Sequence, residues 1–205
     1  MNKLPRVGMI WMPDNPVSVK YKEIVSHSWT NAGFELDYYD AITPENVQEK
    51  VNRPLNFGTK TSRKRFGQPF TPTEQAVWYS HAKMWDIAAR KSNPLIIIEH
   101  DILLLKHIEK WTLEQHPILG LSHVGLLSKK SKKGYRISAG GAYMLTNEIA
   151  KKMLRNIPKL VDVNSDAYIH QFIARYGAFR HEYSTQLYLP DLGATIDHGA
   201  ENPDA

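Results

Sequence analysis

Two carboxylates separated by one residue interrupt an apolar stretch that runs over residues 95–105. The β-branched residues before Glu99 are typical of a strand buried on both faces. In extended backbone, residues two apart point the same way, so Glu99 and Asp101 should face one site and His100 the other side. Buried charge needs a partner, and paired oxygen ligands predict a Mg²⁺ or Mn²⁺ site. The alternative is a strand end where both acids are hydrated.

The pattern before the acidic pair alternates between strands and helices. Strands are predicted at residues 7–11 and 34–38, with a helix over 17–32 between them. The motif TPTE at 71–74 supplies a capping threonine, a first-turn proline and a third-position glutamate, so a helix is predicted from there to Asn93. This order favours an α/β domain with a largely parallel sheet, whose ligands bind outside the carboxyl ends of the strands. Glu99 and Asp101 lie at such an end, which favours a binding site over hydrated acids.

The second half of the chain is predicted to continue this alternation. Helices are predicted over 107–115, 147–156 and 166–176, and strands over 122–127 and up to 145. A short helix should also begin at Thr43, with Pro44 in its first turn. Residues 187–205 show no periodicity, and we expect an irregular tail there. Because no repeat or linker divides the chain, residues 1–205 are predicted to form one domain.

The composition is that of a globular protein. The 205 residues are 42% hydrophobic and 23% charged, which fits one sizeable domain with its own core. No stretch has the roughly 18 consecutive apolar residues that span a bilayer, and residues 1–10 become polar too early for a signal peptide. The absence of cysteine excludes disulfides and thiolate metal sites. It also fits a reducing compartment, so a cytoplasmic location is expected.

The positive charge of the chain is clustered. The formal net charge is +5 with neutral histidine, and the basic residues concentrate at 60–65 and 129–136. Such clusters commonly form solvated loops. They could instead bind an anionic ligand, such as a phosphate, a nucleic acid or an acidic glycan. Both possibilities stay open at this point.

An ordered series of motifs resembles the glycosyltransferases of the lipopolysaccharide-biosynthesis and procollagen-galactosyltransferase type. The family series reads TPGE, SH, W and ILEDD with similar spacing, followed by a glycine-small-aromatic strand and an aspartate-led helix. The similarity covers most of residues 7–190, in order. The matching segments are TPTE at 71–74, Ser80-His81, Trp85, the strand closing on Glu99-His100-Asp101, GGAYMLT at 140–146 and the segment from Asp166 to Gly177.

The resemblance implies a GT-A-like, Rossmann-type α/β domain with a mixed, largely parallel central sheet. It also implies a nucleotide-sugar donor, inversion at the anomeric carbon, and Mn²⁺ or Mg²⁺ bound through the acid-x-acid motif of Glu99 and Asp101. The chain has His100 where the family usually has aspartate. If that position contacts the donor ribose, donor geometry or donor choice is altered. His198 could add a late metal ligand or touch the diphosphate, or it could be a hydrated histidine in the tail.

Glycosyl transfer also needs a base that takes the proton of the attacking hydroxyl group. Asp166 matches the family's late aspartate and is the candidate for this role. The alternative is that Asn164, Ser165 and Asp166 form an ordinary helix cap. Asp162 lies nearby in the sequence and competes with Asp166 as the base.

Further residues are candidates for contacts with the two substrates. Trp11 could stack on the donor base, Asp40 could bind the base or the ribose, and the arginines could clamp the phosphates. His81 could shape the donor site, or it could be a core histidine satisfied by a backbone carbonyl. Two glycines would let an acceptor sugar approach the backbone, although a plain tight turn explains them too. The donor candidates are Trp11, Asp40, His81, His100, Arg63 and Arg65, and the acceptor candidates are Gly140 and Gly141.

Together these features predict a metal-dependent enzyme that transfers a hexose from a nucleotide-diphosphate sugar to a hydroxyl group of a saccharide. One alternative is a DNA-modifying glycosyltransferase that acts on a hydroxylated base. A second is a non-catalytic module that binds a nucleotide sugar, with His100 as its degenerate position. A third is a basic nucleic-acid-binding protein in which the acids are structural.

Overall fold

The computed structural model describes residues 4–58, 69–105, 108, 115–121, 124–125, 136–137, 140–179 and 185–187. The strands are β1 (Arg6–Trp11), β2 (Leu36–Asp40), β3 (Leu95–Glu99), β4 (Ile102–Leu104), β5 (Ile118–Gly120), β6 (Val124–Gly125), β7 (Arg136–Ile137), β8 (Ala142–Leu145), β9 (Ala178–Phe179) and β10 (Thr185–Leu187). The helices are α1 (Pro16–Asn31), α2 (Val47–Lys50), α3 (Pro72–Arg90), α4 (Asn147–Arg155) and α5 (Ser165–Tyr176).

The central sheet has six strands in the order β2-β1-β3-β8-β5-β9. β1 pairs in parallel with β2 and with β3, and β5 pairs in parallel with β9. β8 runs antiparallel to both β3 and β5. The predicted α/β class with a mixed, largely parallel sheet is confirmed, including the opening strand-helix-strand unit.

The core lies on both faces of this sheet, and β3 separates its two halves. Leu95 and Ile97 belong to a buried cluster with residues of α3, α4 and α5. Ile96 and Ile98 belong to a second cluster, together with Trp29 of α1. Burying one such side chain contributes about 1.5–3 kcal/mol, which explains the continuous apolar run in the sequence. Over the described residues, no helix has both the length and the apolar character needed to cross a bilayer.

The single strand predicted within residues 95–105 is in fact two strands. β3 ends at Glu99, residues 100–101 form a turn, and β4 leaves the central sheet to pair antiparallel with β10. The chain turns here because the charged residues cannot lie between two apolar layers. α1 then binds the backbone of β4, since Trp29 Nε1 donates to the Ile102 carbonyl (3.0 Å) and Leu104 N donates to Ser28 Oγ (3.1 Å).

Other boundaries differ in smaller ways. The short helix predicted at Thr43 begins later, at Val47, after a turn in which Thr43 N donates to Asn46 Oδ1 (2.8 Å). Of the strand predicted over 122–127, the structure describes Val124–Gly125 as β6, which pairs with β7 outside the central sheet. The central sheet instead takes β5 from this region, a strand that was not predicted. Most of the helix predicted over 107–115 and residues 188–205 of the predicted tail lie outside the described residues.

α3 is the element that carries most side chains to the site, and its start is fixed locally. Thr71 Oγ1 accepts from Glu74 N (3.2 Å), and Glu74 Oε2 accepts from Thr71 N (3.0 Å), which completes the predicted capping box. In the middle of the helix, Ser80 Oγ accepts from Ile42 N (2.8 Å). This bond ties α3 to the segment that follows β2. The helix therefore holds both its own residues and that segment in place.

Candidate active site

A cleft opens where β1, β2 and β3 end, against the N-terminal half of α3. The three strands are parallel, so their carboxyl ends meet at this edge of the sheet, where open α/β sheets bind ligands. One part of the cleft is acidic and the remainder is mainly apolar. Its lining comprises Ile10, Met12, Ala41, Ile42, Thr43, Pro44, Thr73, Ala76, Val77, Ser80, His81, Glu99, His100 and Asp101.

The Asp101 carboxyl group has a strongly shifted pKa in the cleft. Burial, together with the nearby Glu99 carboxylate, raises the pKa of Asp101 to about 7. Its Oδ1 atom is buried and has no hydrogen-bond partner among the described residues. A carboxylate in this situation is stabilised by any cation that reaches it.

The acidic pair fits a divalent metal ion with few protein ligands. Glu99 and Asp101 offer hard carboxylate oxygens, which suit Mg²⁺ or Mn²⁺. In the part of the chain that the structure describes, no three His, Asp or Glu residues are grouped as a metal site. Mg²⁺ is commonly held by one or two carboxylates, with water and substrate phosphates completing its shell. The unpartnered Asp101 Oδ1 fits this arrangement, and His198 lies outside the described residues.

His100 lies in the turn after β3 and lines the cleft as Glu99 and Asp101 do, so the alternation expected of an extended strand does not apply to these three residues. His100 stacks on Tyr21 of α1 with ring centroids 6.0 Å apart and an interplanar angle of 23°. Burial lowers the pKa of His100, and the neighbouring Glu99 carboxylate partly opposes that effect. Its Nε2 atom is buried and lacks a partner among the described residues. His100 thus brings a mainly neutral ring to the cleft, at the position where the family that the sequence resembles usually has aspartate.

His81 is fully buried and joins the acidic pair to the core. Its Nε2 lies 3.3 Å from Glu99 Oε1, and its Nδ1 lies 3.0 Å from the Tyr143 hydroxyl oxygen. Trp85 Nε1 donates to the same hydroxyl oxygen at 2.8 Å. Burial raises the pKa of Tyr143 well above its usual range, so the hydroxyl keeps its proton. The partners of His81 are therefore side chains, and not the backbone carbonyl that the alternative interpretation supposes.

Asp166 approaches the same group of residues from α5. Asn164 is the residue that caps this helix, since its Oδ1 accepts from Ala167 N (2.9 Å). A side chain at Gly140 would collide with Asp166 Oδ1 and would lie 3.5 Å from His81 Nε2. The space at Gly140 therefore admits the Asp166 carboxylate. Residues 164–166 do begin a capped helix, with Asn164 as the cap and Asp166 in the first turn, and the role of Asp166 as the base stays a prediction. The neighbouring Gly141 carbonyl accepts from Glu99 N at 3.0 Å.

The remaining candidates lie outside the cleft or outside the described residues. Trp11 is on the α1 side of β1, and Lys22 Nζ lies 3.6 Å from its ring centroid. The Asp40 side chain is exposed, and its backbone carbonyl accepts from Lys83 Nζ (3.1 Å). Neither residue lines the cleft. The donor roles of Arg63 and Arg65 concern residues that the structure does not describe, and they stay predictions.

Sequence reasoning missed Tyr143 and gave Trp85 no hydrogen-bonding role. A signal was available for Tyr143, because a phenol within an otherwise apolar strand needs a hydrogen-bond partner. For Trp85 the signal was its spacing of four residues from His81, which puts both on one face of α3. Neither signal identifies the partner, which comes from another element.

The metal-free protein should lose stability between about pH 4 and about pH 7 because of Asp101. The folded state raises the pKa of this carboxyl to about 7 from 3.8. The destabilisation is therefore absent below the lower value and complete above the higher one, and amounts to a few kcal/mol. The pKa of His100 is lowered, so below the ordinary histidine pKa this residue makes the stability rise with pH, which opposes the effect of Asp101.

Comparison with Asp101→Asn isolates the Asp101 contribution. We expect the difference in Tm between this variant and the wild type, measured in EDTA, to grow in favour of the variant from about pH 5 to about pH 8. His100 is present in both proteins, so its contribution largely cancels. A Tm difference that does not change with pH would contradict the buried, ionisable state of Asp101.

A family model matches three quarters of the chain. Glycosyltransferase family 25, described as an LPS biosynthesis protein, matches over residues 18–169. The matched segment contains the cleft residues of α3, the acidic pair, Gly140 and Asp166. No curated protein matches the chain.

Solved structures of related shape share little sequence with the chain. A glycosyltransferase involved in the glycosylation of the major capsid of PBCV-1 is 14% identical, with a TM-score of 0.44, and the match covers 84% of this chain and 76% of that one. A putative glucose-1-phosphate thymidylyltransferase from Bacillus anthracis is 10% identical, with a TM-score of 0.40 and coverages of 84% and 66%. Mouse xyloside xylosyltransferase 1 is 10% identical, with a TM-score of 0.38 and coverages of 88% and 79%. Likeness at this level does not identify an activity.

Proposed function

The chain belongs to glycosyltransferase family 25 and is a glycosyltransferase, and we propose that it transfers a hexose from a nucleotide-diphosphate sugar to a saccharide hydroxyl with the help of a divalent metal ion. One observation carries the proposal. Glu99 Oε1 lies 3.3 Å from His81 Nε2 at the carboxyl edge of the sheet, and the Asp166 carboxylate occupies the space at Gly140 beside the same histidine. Metal-assisted departure of a diphosphate and deprotonation of a hydroxyl need carboxylates in this proximity.

Glu99 and Asp101 would hold the metal ion, with Asp101 as the direct ligand. When bound, a divalent ion supplies Lewis-acid stabilisation of the negative charge on the departing diphosphate. The raised pKa of Asp101 supports this assignment, because the ion would compensate the charge that burial and Glu99 disfavour. Mn²⁺ and Mg²⁺ are the cations that suit carboxylate oxygens.

Asp166 would act as the base. As the acceptor oxygen forms its bond to the anomeric carbon, its proton passes to the Asp166 carboxylate. The bond between the anomeric carbon and the diphosphate oxygen breaks, and its electron pair stays with the departing diphosphate. Asp166 is partly buried beside Gly140 and His81, whereas the competing Asp162 is exposed. Attack by an external hydroxyl assisted by one base is the arrangement expected for inversion.

The apolar part of the cleft offers a surface for the flat base of the donor. It is formed by the segment after β2 and by the first turns of α3, including Ile42, Pro44 and Val77. We favour a saccharide over a nucleic acid as the acceptor, because the family model that matches the chain is described as an LPS biosynthesis protein. The lack of cysteine supports a location in the reducing cytoplasm.

A thermal-shift screen of nucleotide sugars with and without Mn²⁺ tests this function. A ligand that binds the folded state alone stabilises it by about 2.7 kcal/mol at 100 times its Kd. We expect a rise in Tm that needs both Mn²⁺ and one class of nucleotide sugar, and that Asp101→Asn loses. A rise in Tm of the same size in EDTA would show that nucleotide-sugar binding does not depend on a metal ion. No rise with any nucleotide sugar would refute the donor class.

A further inference from the structure

A chain of hydrogen bonds through the buried core ends on the carboxylate of Glu99. It runs from Trp85 Nε1 to the Tyr143 hydroxyl (2.8 Å), on to His81 Nδ1 (3.0 Å), and from His81 Nε2 to Glu99 Oε1 (3.3 Å). Trp85, Tyr143 and His81 are each 0% exposed. Buried polar groups are costly unless they are paired, and each of these side-chain groups has a partner within this series of hydrogen bonds.

The direction of these bonds follows from the chemistry of their ends. The indole of Trp85 can only donate, so the Tyr143 oxygen accepts there. The Tyr143 hydroxyl proton is buried and needs an acceptor, and His81 Nδ1 is the acceptor within reach at 3.0 Å. An ionised carboxylate can only accept, so His81 Nε2 carries the proton at the Glu99 end. A neutral histidine with its proton on Nε2 satisfies both neighbours at once. The indole and the phenol therefore select one tautomer of His81.

Glu99 is held by its backbone as well as by its side chain. β3 and β8 pair antiparallel with Ile97 opposite Tyr143, which brings the phenol of β8 close to the end of β3. On the same side, Glu99 N donates to the Gly141 carbonyl (3.0 Å). Two elements thus fix this residue, α3 through His81 and the segment leading into β8 through Gly141. Such restraint is far more than a merely hydrated acid would need.

We propose that His81 is a positioning residue, set in its Nε2–H tautomer by Tyr143 and Trp85, which orients the Glu99 carboxylate for the metal ion. Hydrogen-bonded partners of ligating carboxylates typically contribute about 10–100-fold to metal affinity or activity. The metal part of this role rests on the proposed function, whereas the tautomer and the orientation of Glu99 do not.

Tyr143→Phe tests the role by deleting one oxygen atom from the chain of bonds. The matched control is Tyr168→Phe, since Tyr168 is buried in the same cluster and donates its hydroxyl proton to the Met153 carbonyl (2.6 Å). The first readout is the histidine tautomer in metal-free protein, from long-range ¹H–¹⁵N spectra, with the His81 signals assigned by their absence in His81→Gln. The second readout is the Kd for Mn²⁺ alone, from electron paramagnetic resonance.

We expect His81 to be entirely the Nε2–H tautomer in the wild type and in Tyr168→Phe. In Tyr143→Phe we expect a mixture of the Nε2–H and Nδ1–H tautomers. The Kd for Mn²⁺ should rise about tenfold or more in Tyr143→Phe and in His81→Gln, and should change less than about twofold in the control. An Nδ1–H tautomer in the wild type, or equal Kd values in the two tyrosine variants, would overturn the role of His81. If the wild type binds no Mn²⁺, the metal of the proposed function fails, and the tautomer readout alone decides whether Tyr143 sets His81.

Discussion

Asp101→Asn is expected to lower the rate of sugar transfer about 10³-fold or more while the protein stays folded. The amide keeps the size of the carboxyl group but removes the negative charge that would bind the metal ion. Metal stabilisation of a departing diphosphate is worth several kcal/mol, and each 1.36 kcal/mol is a factor of ten in rate. The variant should fold well, because it also removes the carboxyl group whose pKa burial raises to about 7.

The measurement is the initial rate of product formation at saturating nucleotide sugar and Mn²⁺. Asp86→Asn is a suitable control, because Asp86 lies on the exposed side of α3, paired with Arg90 (2.5 Å), away from the cleft. It should transfer sugar at the wild-type rate. If Asp101→Asn retained a rate within about threefold of the wild type, the acidic pair would not be the metal site.

Asp166→Asn is expected to lower kcat about 10²–10⁴-fold with little change in the KM for the donor. Asparagine at this position cannot take the proton of the acceptor hydroxyl, whereas we propose that the donor binds through the metal ion and the apolar part of the cleft. The measurement is steady-state kinetics with the donor and the acceptor varied separately. Normal kcat in this variant would show that Asp166 is not the base.

Two neighbours of Asp166 provide controls that separate catalysis from folding. Asn164→Ala removes the observed cap of α5 and should cost about 1 kcal/mol of stability without a comparable loss of kcat. Asp162→Asn changes the exposed competitor and should leave kcat unchanged. Gly140→Ala places a methyl group where the Asp166 carboxylate lies, so it should lower kcat in the same direction as Asp166→Asn. A kcat loss in Asp162→Asn alone would move the base to that residue.

The features that could be predicted from the sequence are those that depend on residues close together in the sequence. The capping box of α3 needs only Thr71, Pro72 and Glu74, and the opening strand-helix-strand unit needs only the hydrophobic periodicity of residues 7–38. The position of Glu99 at the carboxyl edge follows from the order of the elements. Each of these inferences uses information within one or two neighbouring segments.

The features that could not be predicted depend on contacts between distant segments. The Tyr143 hydroxyl meets His81 across 62 positions of sequence, and Asp166 meets Gly140 across the strand β8 and the helix α4. The division of residues 95–105 into β3 and β4 also depends on a partner, since β4 pairs with β10 near the other end of the chain. Residue types indicate that such groups need partners, but they do not identify them.

The face of β1 on which Trp11 lies follows from the alternation of the sequence. Val7, Met9 and Trp11 alternate along β1, and the first two pack in the cluster that contains the α1 residues. By the same alternation Trp11 belongs to the α1 face, where Lys22 covers its ring. Ile10 and Met12 have the opposite parity, and they are the residues of this segment that line the cleft.

Release of nucleoside diphosphate coupled to glycosylation of a saccharide tests the central claim most directly. Wild-type protein would be incubated with panels of nucleotide sugars and saccharides, in Mn²⁺ or in EDTA, and both products quantified by chromatography and mass spectrometry. We predict that one donor gives equal amounts of nucleoside diphosphate and glycosylated saccharide in Mn²⁺, and that EDTA and Asp101→Asn each abolish both products. Transfer at an unchanged rate in EDTA, or no transfer from any nucleotide sugar to any saccharide, would contradict the account.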